Sequence, residues 1–220
     1  MKIPFVDLLA QYKSMKSEID LAINNVIVET AFIKGKHVKQ FEADYAKMYD
    51  VNHVISCGNG TDAIYIVLKA LGIGPGDEVI TVSNTWISTA ETISQTGAKP
   101  VFVDIHPDYY TINSKLIEEK ITPKTKAIIP VHLFGNACDM TSIVDICSSN
   151  NLFLIEDCAQ AHFAEWKNQK VGTFGVAGTF SFFPGKNLGA YGDAGAIITN
   201  DDELAEKTRM YANHGGLIKH

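Results

Sequence analysis

The chain has 220 residues, 46% hydrophobic and 20% charged, which is enough to bury one sizeable core. Nineteen basic against 25 acidic residues give a net charge of -6 with no basic run, which argues against a nucleic-acid partner. No apolar run reaches the ~18 residues of a membrane span, and Cys57, Cys138, Cys147 and Cys158 lack CxxC spacing, so a soluble, cytoplasmic protein without disulfide framework or metal site is expected.

In chain order, residues 12–28 come first, with Met15, Ile19, Ala22, Ile23 and Val26 at helical spacing. A second amphipathic stretch puts Val38, Phe41, Tyr45 and Met48 on one face. Both read as surface helices. From His53 the pattern changes to short apolar runs bounded by Gly, Pro, Asn and Asp: HVISC, EVITV, PVFVD, AIIPVH, FLIED, GTFSFF and AGAIIT. These read as buried strands. Helical stretches at 62–71, 87–96, 114–120 and 140–149 fall between several of them, an alternation that predicts an α/β domain with a largely parallel sheet. AEWKNQKVG reads as an inserted hairpin. DDELAEKTRMY opens as a helix with an acidic first turn and stops near Gly215 and Gly216, after which nothing resembles a second domain.

Three segments carry residues suited to chemistry. SCGNGTDA joins a strand to a helix start at Thr61 and Asp62 through Gly58 and Gly60, which aims free backbone N–H groups at an anion. The same segment fits a loose dinucleotide fingerprint through Gly58, Gly60 and Ala63, but Asp77 and Glu78 stand at the start of EVITV, not at its end, where a ribose-binding acid belongs. A plain connecting turn is the bland alternative. FLIEDCAQAH ends an apolar strand in Glu156 and Asp157. A carboxylate there is either a surface or capping residue or a fixed anion beside a protonated ring nitrogen. GTFSFFPGKNLGAYGDAGAI holds Ser181 and Lys186 around an aromatic pair and a Pro-Gly turn. Most lysines are solvated surface charges, yet this one has a hydroxyl and close-approach glycines for company. Trp86, just after EVITV, offers a flat ring at the same edge. His132, His162 and His214 show no metal-binding spacing and read as structural or substrate-side residues.

Taken together, FVDLLAQY, GNGTDA, GDEVITVSNTWIST, GAKPVFVDI, TKAIIPVHLFG, IEDCAQAH and FSFFPGKNLGAYGDAGAI resemble the DegT/DnrJ/EryC1/StrS family of sugar aminotransferases. The resemblance implies the large domain of the fold type I pyridoxal-phosphate (PLP) enzymes, a seven-stranded, mostly parallel sheet flanked by helices, working as a homodimer. It implies Lys186 as the Schiff-base lysine, Asp157 as the partner of the pyridine nitrogen, Trp86 stacked on the ring and Gln160 on the ring-hydroxyl side. Gly60, Thr61 and Asp62, with Ser181, are implied for the phosphate. It further implies a nucleotide-linked keto sugar as acceptor and L-glutamate as donor, in polysaccharide, glycan or antibiotic sugar synthesis. Residues 1–30 then form an N-terminal helical segment and residues 31–220 the PLP-binding domain. Family chains usually continue past NHGG into a smaller domain that is not expected in this sequence, and they usually carry glycine where Phe163 stands. Two other readings compete: an NAD-dependent sugar-modifying enzyme, which leaves Lys186, Ser181 and Asp157 unexplained, and a truncated relative acting as an interaction domain.

Overall fold

The computed structural model describes residues 3–217. Seven strands form the central sheet: β1 (His53–Cys57), β2 (Glu78–Val82), β3 (Lys99–Val103), β4 (Thr125–Ile129), β5 (Phe153–Asp157), β8 (Ala177–Ser181) and β9 (Gly195–Thr199). Their order is β1-β9-β8-β5-β4-β2-β3. The pairs from β3 through β8 are parallel, and β9 runs antiparallel to both β8 and β1. All seven expected apolar runs are therefore strands of one mostly parallel sheet. Six of them deliver their carboxyl ends to the same edge, where loops of open α/β sheets bind ligands. The expected hairpin forms from β6 (Glu165–Trp166) and β7 (Gln169–Lys170).

Period-two alternation splits the core between the faces. Ile55, Val79, Ile129, Ile155 and Ile197 pack under α4 (Gly60–Ala70), α5 (Ser88–Gln95) and α7 (Asp202–Tyr211). The opposite face is covered by α6 (Met140–Asn150), around Ile80, Ile128 and Leu154, and by α3 (Lys36–Tyr49), around Phe180, Ala196 and Ile198. Helix starts follow their caps: the side chains of Asn59, Asp139 and Asp201 accept N–H groups from the first turns of α4, α6 and α7.

Three local expectations are corrected. The first helix is two, α1 (Leu8–Ser14) and α2 (Lys16–Val28), broken at Met15, where φ is -128° and ψ is 22°. On α3 the buried positions are Tyr45 and Tyr49, with Phe41 packed against them, while Met48 is exposed; the four-residue step of an α-helix carries the face from Phe41 to Tyr49. Residues 114–120 form two 3-10 turns, Ser114–Leu116 and Glu118–Lys120, because burying Ile117 in the core and reaching Pro123 leaves no room for a longer helix. Among the described residues no helix is long and apolar enough to cross a membrane.

Candidate active site

The carboxyl edge of the sheet gathers most of the singled-out residues. Asp157 is the last residue of β5 and is buried. The segment after β4 grips it from the side: its N–H donates to the Pro130 carbonyl at 3.0 Å, and its carbonyl accepts the His132 N–H at 3.1 Å. Its side chain lies on the α5 face of the sheet, where Oδ2 accepts from Thr89 Oγ1 at 2.9 Å and Oδ1 from the Ala159 N–H at 3.1 Å. A carboxylate has about four acceptor directions, so capacity remains for one more donor. Burial pushes the Asp157 carboxyl above its ordinary range, opposed by Ala159, Thr89 and the positive charge of Lys186.

Lys186 sits in the loop after β8, its backbone N–H turned back to the Phe183 carbonyl at 2.8 Å. It is half-buried and within electrostatic reach of Asp157. Desolvation lowers its proton affinity below that of an ordinary lysine, and the Asp157 charge opposes that shift. This is the condition under which a lysine amine serves as a nucleophile and proton carrier.

The turn after β1 and the end of β8 meet closely. A Cβ on Gly60 would come within 2.7 Å of the Ser181 Cβ, and one on Gly195 within 2.1 Å of the Asn59 carbonyl oxygen. Only glycine lets backbone approach this near. Asn59 caps α4 by accepting the Asp62 N–H at 2.8 Å, and the Ala63 N–H goes to the Asn59 carbonyl. The donor expected from Asp62 is therefore spent. Burial and the neighbouring Asp193 raise its carboxyl proton affinity. The N–H groups of Gly60 and Thr61 meet no acceptor among the described residues, which leaves a two-donor anion cradle at a helix N-terminus. Thr61 Oγ1 is 2.7 Å from Ser88 Oγ, tying the starts of α4 and α5 together.

Gln160 Oε1 accepts the Phe134 N–H at 2.8 Å, which fixes the side chain and leaves its amide donors free. Trp86 lies between β2 and α5 and is 74% exposed, with its carbonyl accepting the Thr89 N–H. Phe163, at the position where glycine was anticipated, has φ at 61°, a left-handed conformation costly for a bulky residue. Its N–H donates to Tyr49 Oη at 2.7 Å and its ring stacks on Tyr49 with centroids 5.0 Å apart, contacts that offset the strain. His132, Glu156 and Cys158 bring potential metal-ligand atoms within 4.8 Å of one another. Glu156 and His132 are already committed, however: Glu156 takes N–H bonds from Gly172, Phe174 and Gly175 and pairs with His132 Nε2, and His132 Nδ1 accepts from the Cys138 N–H. Sequence reading singled out Glu156 and His132 without pairing them, and it missed Thr89, Ser88 and Asn59 as supports. Of these three only Asn59 carried a signal, as a capping residue before a helix.

The sheet order also speaks against a dinucleotide site. In a dinucleotide fold the first two strands are parallel neighbours, whereas here β1 borders the antiparallel β9 and lies far from β2.

Comparison with known proteins agrees with this arrangement. The family model described as the DegT/DnrJ/EryC1/StrS aminotransferase family matches residues 13–219. A "Pleiotropic regulatory protein" of Geobacillus stearothermophilus is 51% identical over the whole chain, and a "UDP-2-acetamido-2-deoxy-3-oxo-D-glucuronate aminotransferase" of Pseudomonas aeruginosa is 47% identical over 97% of it; the matches cover 59% of each relative. The crystal structure of Streptomyces venezuelae DesV in complex with a ketimine intermediate superposes on the whole chain with a TM-score of 0.96 at 42% identity, covering 59% of DesV. The chain thus spans somewhat over half the length of these relatives. On the match of nearly its whole length, the chain belongs to the DegT/DnrJ/EryC1/StrS aminotransferase family.

Proposed function

We propose that the chain is the cofactor-binding part of a PLP-dependent aminotransferase that passes an amino group, from L-glutamate, to the keto group of a nucleotide-linked deoxysugar, working as a homodimer. Residues 31–220 are read as the PLP-binding domain and residues 1–30 as a helical segment before it. The observation that carries this reading is a half-buried Lys186, its proton affinity lowered by burial, within electrostatic reach of a buried Asp157 on the sheet edge that also holds the Gly60–Thr61 anion cradle.

The residues fit PLP part by part. The two unpaired N–H groups and the closely packed Ser181 hydroxyl suit a phosphate. The remaining acceptor capacity of Asp157 suits a ring N–H. Gln160 keeps its donors for the ring hydroxyl side, and the exposed indole of Trp86 suits a planar ring. Bound PLP supplies an aldehyde that condenses with amines and a ring that withdraws electrons from the substrate carbon. Asp157 would accept the ring N–H, and Lys186 would be the amine that holds the aldehyde and moves a proton beside it. The P. aeruginosa relative, named for an amino transfer to an oxo sugar nucleotide, supports the substrate class.

The test is visible absorption after mixing with PLP, followed by borohydride. The wild-type chain is expected to gain a visible band that reduction fixes as a covalent adduct on Lys186, and Lys186→Ala is expected to lose both. Equal trapping in the two proteins would sink the assignment. A role as an interaction domain has one point in its favour, the regulatory name of the G. stearothermophilus relative; it predicts no such band.

A further inference from the structure

His162 lies outside the residue set just assigned, yet it bonds to both flanks of the loop that carries Lys186. Its ring is buried. Nε2 is 2.9 Å from the Ser181 carbonyl oxygen, an atom that can only accept, so Nε2 carries the proton and donates. Nδ1 is 2.8 Å from Tyr45 Oη. With the ring proton on Nε2, Nδ1 is the acceptor and the tyrosine donates to it. Burial raises the Tyr45 phenol's proton affinity, which keeps that donor in place. The tautomer is thus fixed from both sides, by α3 through Tyr45 and by β8 through Ser181.

The carbonyl of the same residue accepts from Asn187 Nδ2 at 3.4 Å, one position past Lys186. The side chain of His162 therefore holds the beginning of the 181–187 loop and its backbone holds the end. Tyr45 meets the ring from α3, and the charge of Lys186 reaches it from the loop. Burial lowers the imidazole's proton affinity and the Lys186 charge lowers it further, while the Ser181 carbonyl opposes them. The left-handed backbone at Phe163 comes immediately after, held by Tyr49. The neighbouring ring contacts are aromatic, with Phe180 and Phe182 centroids at 5.3 and 4.9 Å.

We propose that His162 is a positioning residue, a neutral imidazole protonated on Nε2 that fixes both ends of the loop presenting Lys186, with Tyr45 as the lock on its tautomer. A neutral ring suits this place. A second cation here would compete with the lysine for charge, and an Nδ1–H tautomer would turn a bare nitrogen lone pair toward a carbonyl oxygen. The inference rests on the reading of Lys186 as the residue that bonds PLP.

The rate of borohydride-fixable PLP capture at Lys186 tests it in four variants of the full chain. His162→Leu removes the N–H and is expected to slow capture about tenfold, in line with the cost of misplacing a reacting group by a fraction of an ångström. His162→Gln keeps a side-chain N–H that reaches the Ser181 carbonyl and is expected to restore most of the rate. Val171→Ala loosens the same core without touching the loop and should leave the rate unchanged. Nitrogen NMR of the wild-type ring should show the neutral Nε2–H form, and Tyr45→Phe should show a tautomer mixture with capture between wild type and His162→Leu. Equal capture by wild type and His162→Leu, no rescue by His162→Gln, equal slowing by Val171→Ala, or an Nδ1–H signature in the wild type would each overturn the proposal. If His162→Leu does not fold, the tautomer readout and the Tyr45→Phe rate decide. A wild-type chain that traps no more PLP than Lys186→Ala defeats the underlying reading of Lys186 instead.

Discussion

The sheet and the N-terminal arm use the same apolar residue types and do opposite things with them. In the sheet, Ile80, Ile128, Ile155, Phe180 and Ile197 are fully buried. Along α1 and α2 no residue is buried, and Leu9, Leu21, Ile27 and Val28 are each more than half exposed. Apolar periodicity therefore predicts that a helix has an apolar stripe. It does not say what the stripe packs against. In the sheet the central strands β2, β8 and β9 are buried at every position, while among the described residues the arm's only aromatic contact with the body is the edge-on pair of Tyr12 and Tyr191, 6.2 Å between centroids.

The largest expected effect breaks the sheet side. Phe180 sits at the centre of an aromatic group with Tyr45, Tyr49 and His162. Phe180→Ala leaves a cavity that neighbours on a rigid sheet cannot close, and about 3–5 kcal/mol of unfolding free energy should be lost. Urea denaturation followed by far-UV circular dichroism measures it; a loss near 1 kcal/mol would mean that the core collapses around the gap and is less rigid than its packing indicates.

A smaller effect sharpens the contrast by showing that the site edge trades stability for chemistry. The Asp157 carboxyl has a raised proton affinity in the folded chain, chiefly from burial. For an acid with that sign, the folded state binds more protons than the unfolded state between the two pKa values, so stability falls as pH rises through that window. The penalty grows as pH rises through that window and is relieved in acid. Asp157→Asn carries no charge at either pH. In the cofactor-free chain it should melt about 2–4 °C higher at neutral pH, the shift that roughly 1 kcal/mol gives a domain of this size. The gain should shrink toward pH 4. A variant that melts lower at neutral pH would show that the Thr89 and Ala159 hydrogen bonds outweigh the desolvation of the charge.

What was legible in the sequence follows the same division. Buried strands were readable because each is a short apolar run closed by Gly, Pro, Asn or Asp, as in HVISC before Gly58 and EVITV after Asp77. The break between α1 and α2 was not, since KSMKS holds no Gly or Pro and nothing local marks Met15. Lys186, Asp157 and the Gly60 turn stood out in the sequence through their company and the family resemblance, and the structure gathers all three at one sheet edge. The partners that tune them were not: Thr89 reaches Asp157 across 68 positions and Tyr45 reaches His162 across 117, distances over which a single sequence carries no pairing signal. A helix start shows which N–H groups lack helical partners but not which of them its own cap will take, as the Asn59 side chain takes that of Asp62.

The smallest effect is expected on the arm. Leu21 is 60% exposed and Ile27 54%, so exchanging either for serine removes little contact and buries no new polar group. Surface changes of this kind usually stay within about 0.5 kcal/mol, and serine's lower helix propensity adds only a few tenths. Leu21→Ser and Ile27→Ser should therefore leave the urea midpoint of the chain nearly unmoved, whereas Phe180→Ala shifts it strongly. If instead each arm substitution cost 2 kcal/mol or more, the stripe would be covered in solution and the contrast between arm and sheet would vanish. Measuring the midpoint at two protein concentrations tells the cases apart: a cost that grows with concentration reports burial between chains, and a constant one reports burial within the chain.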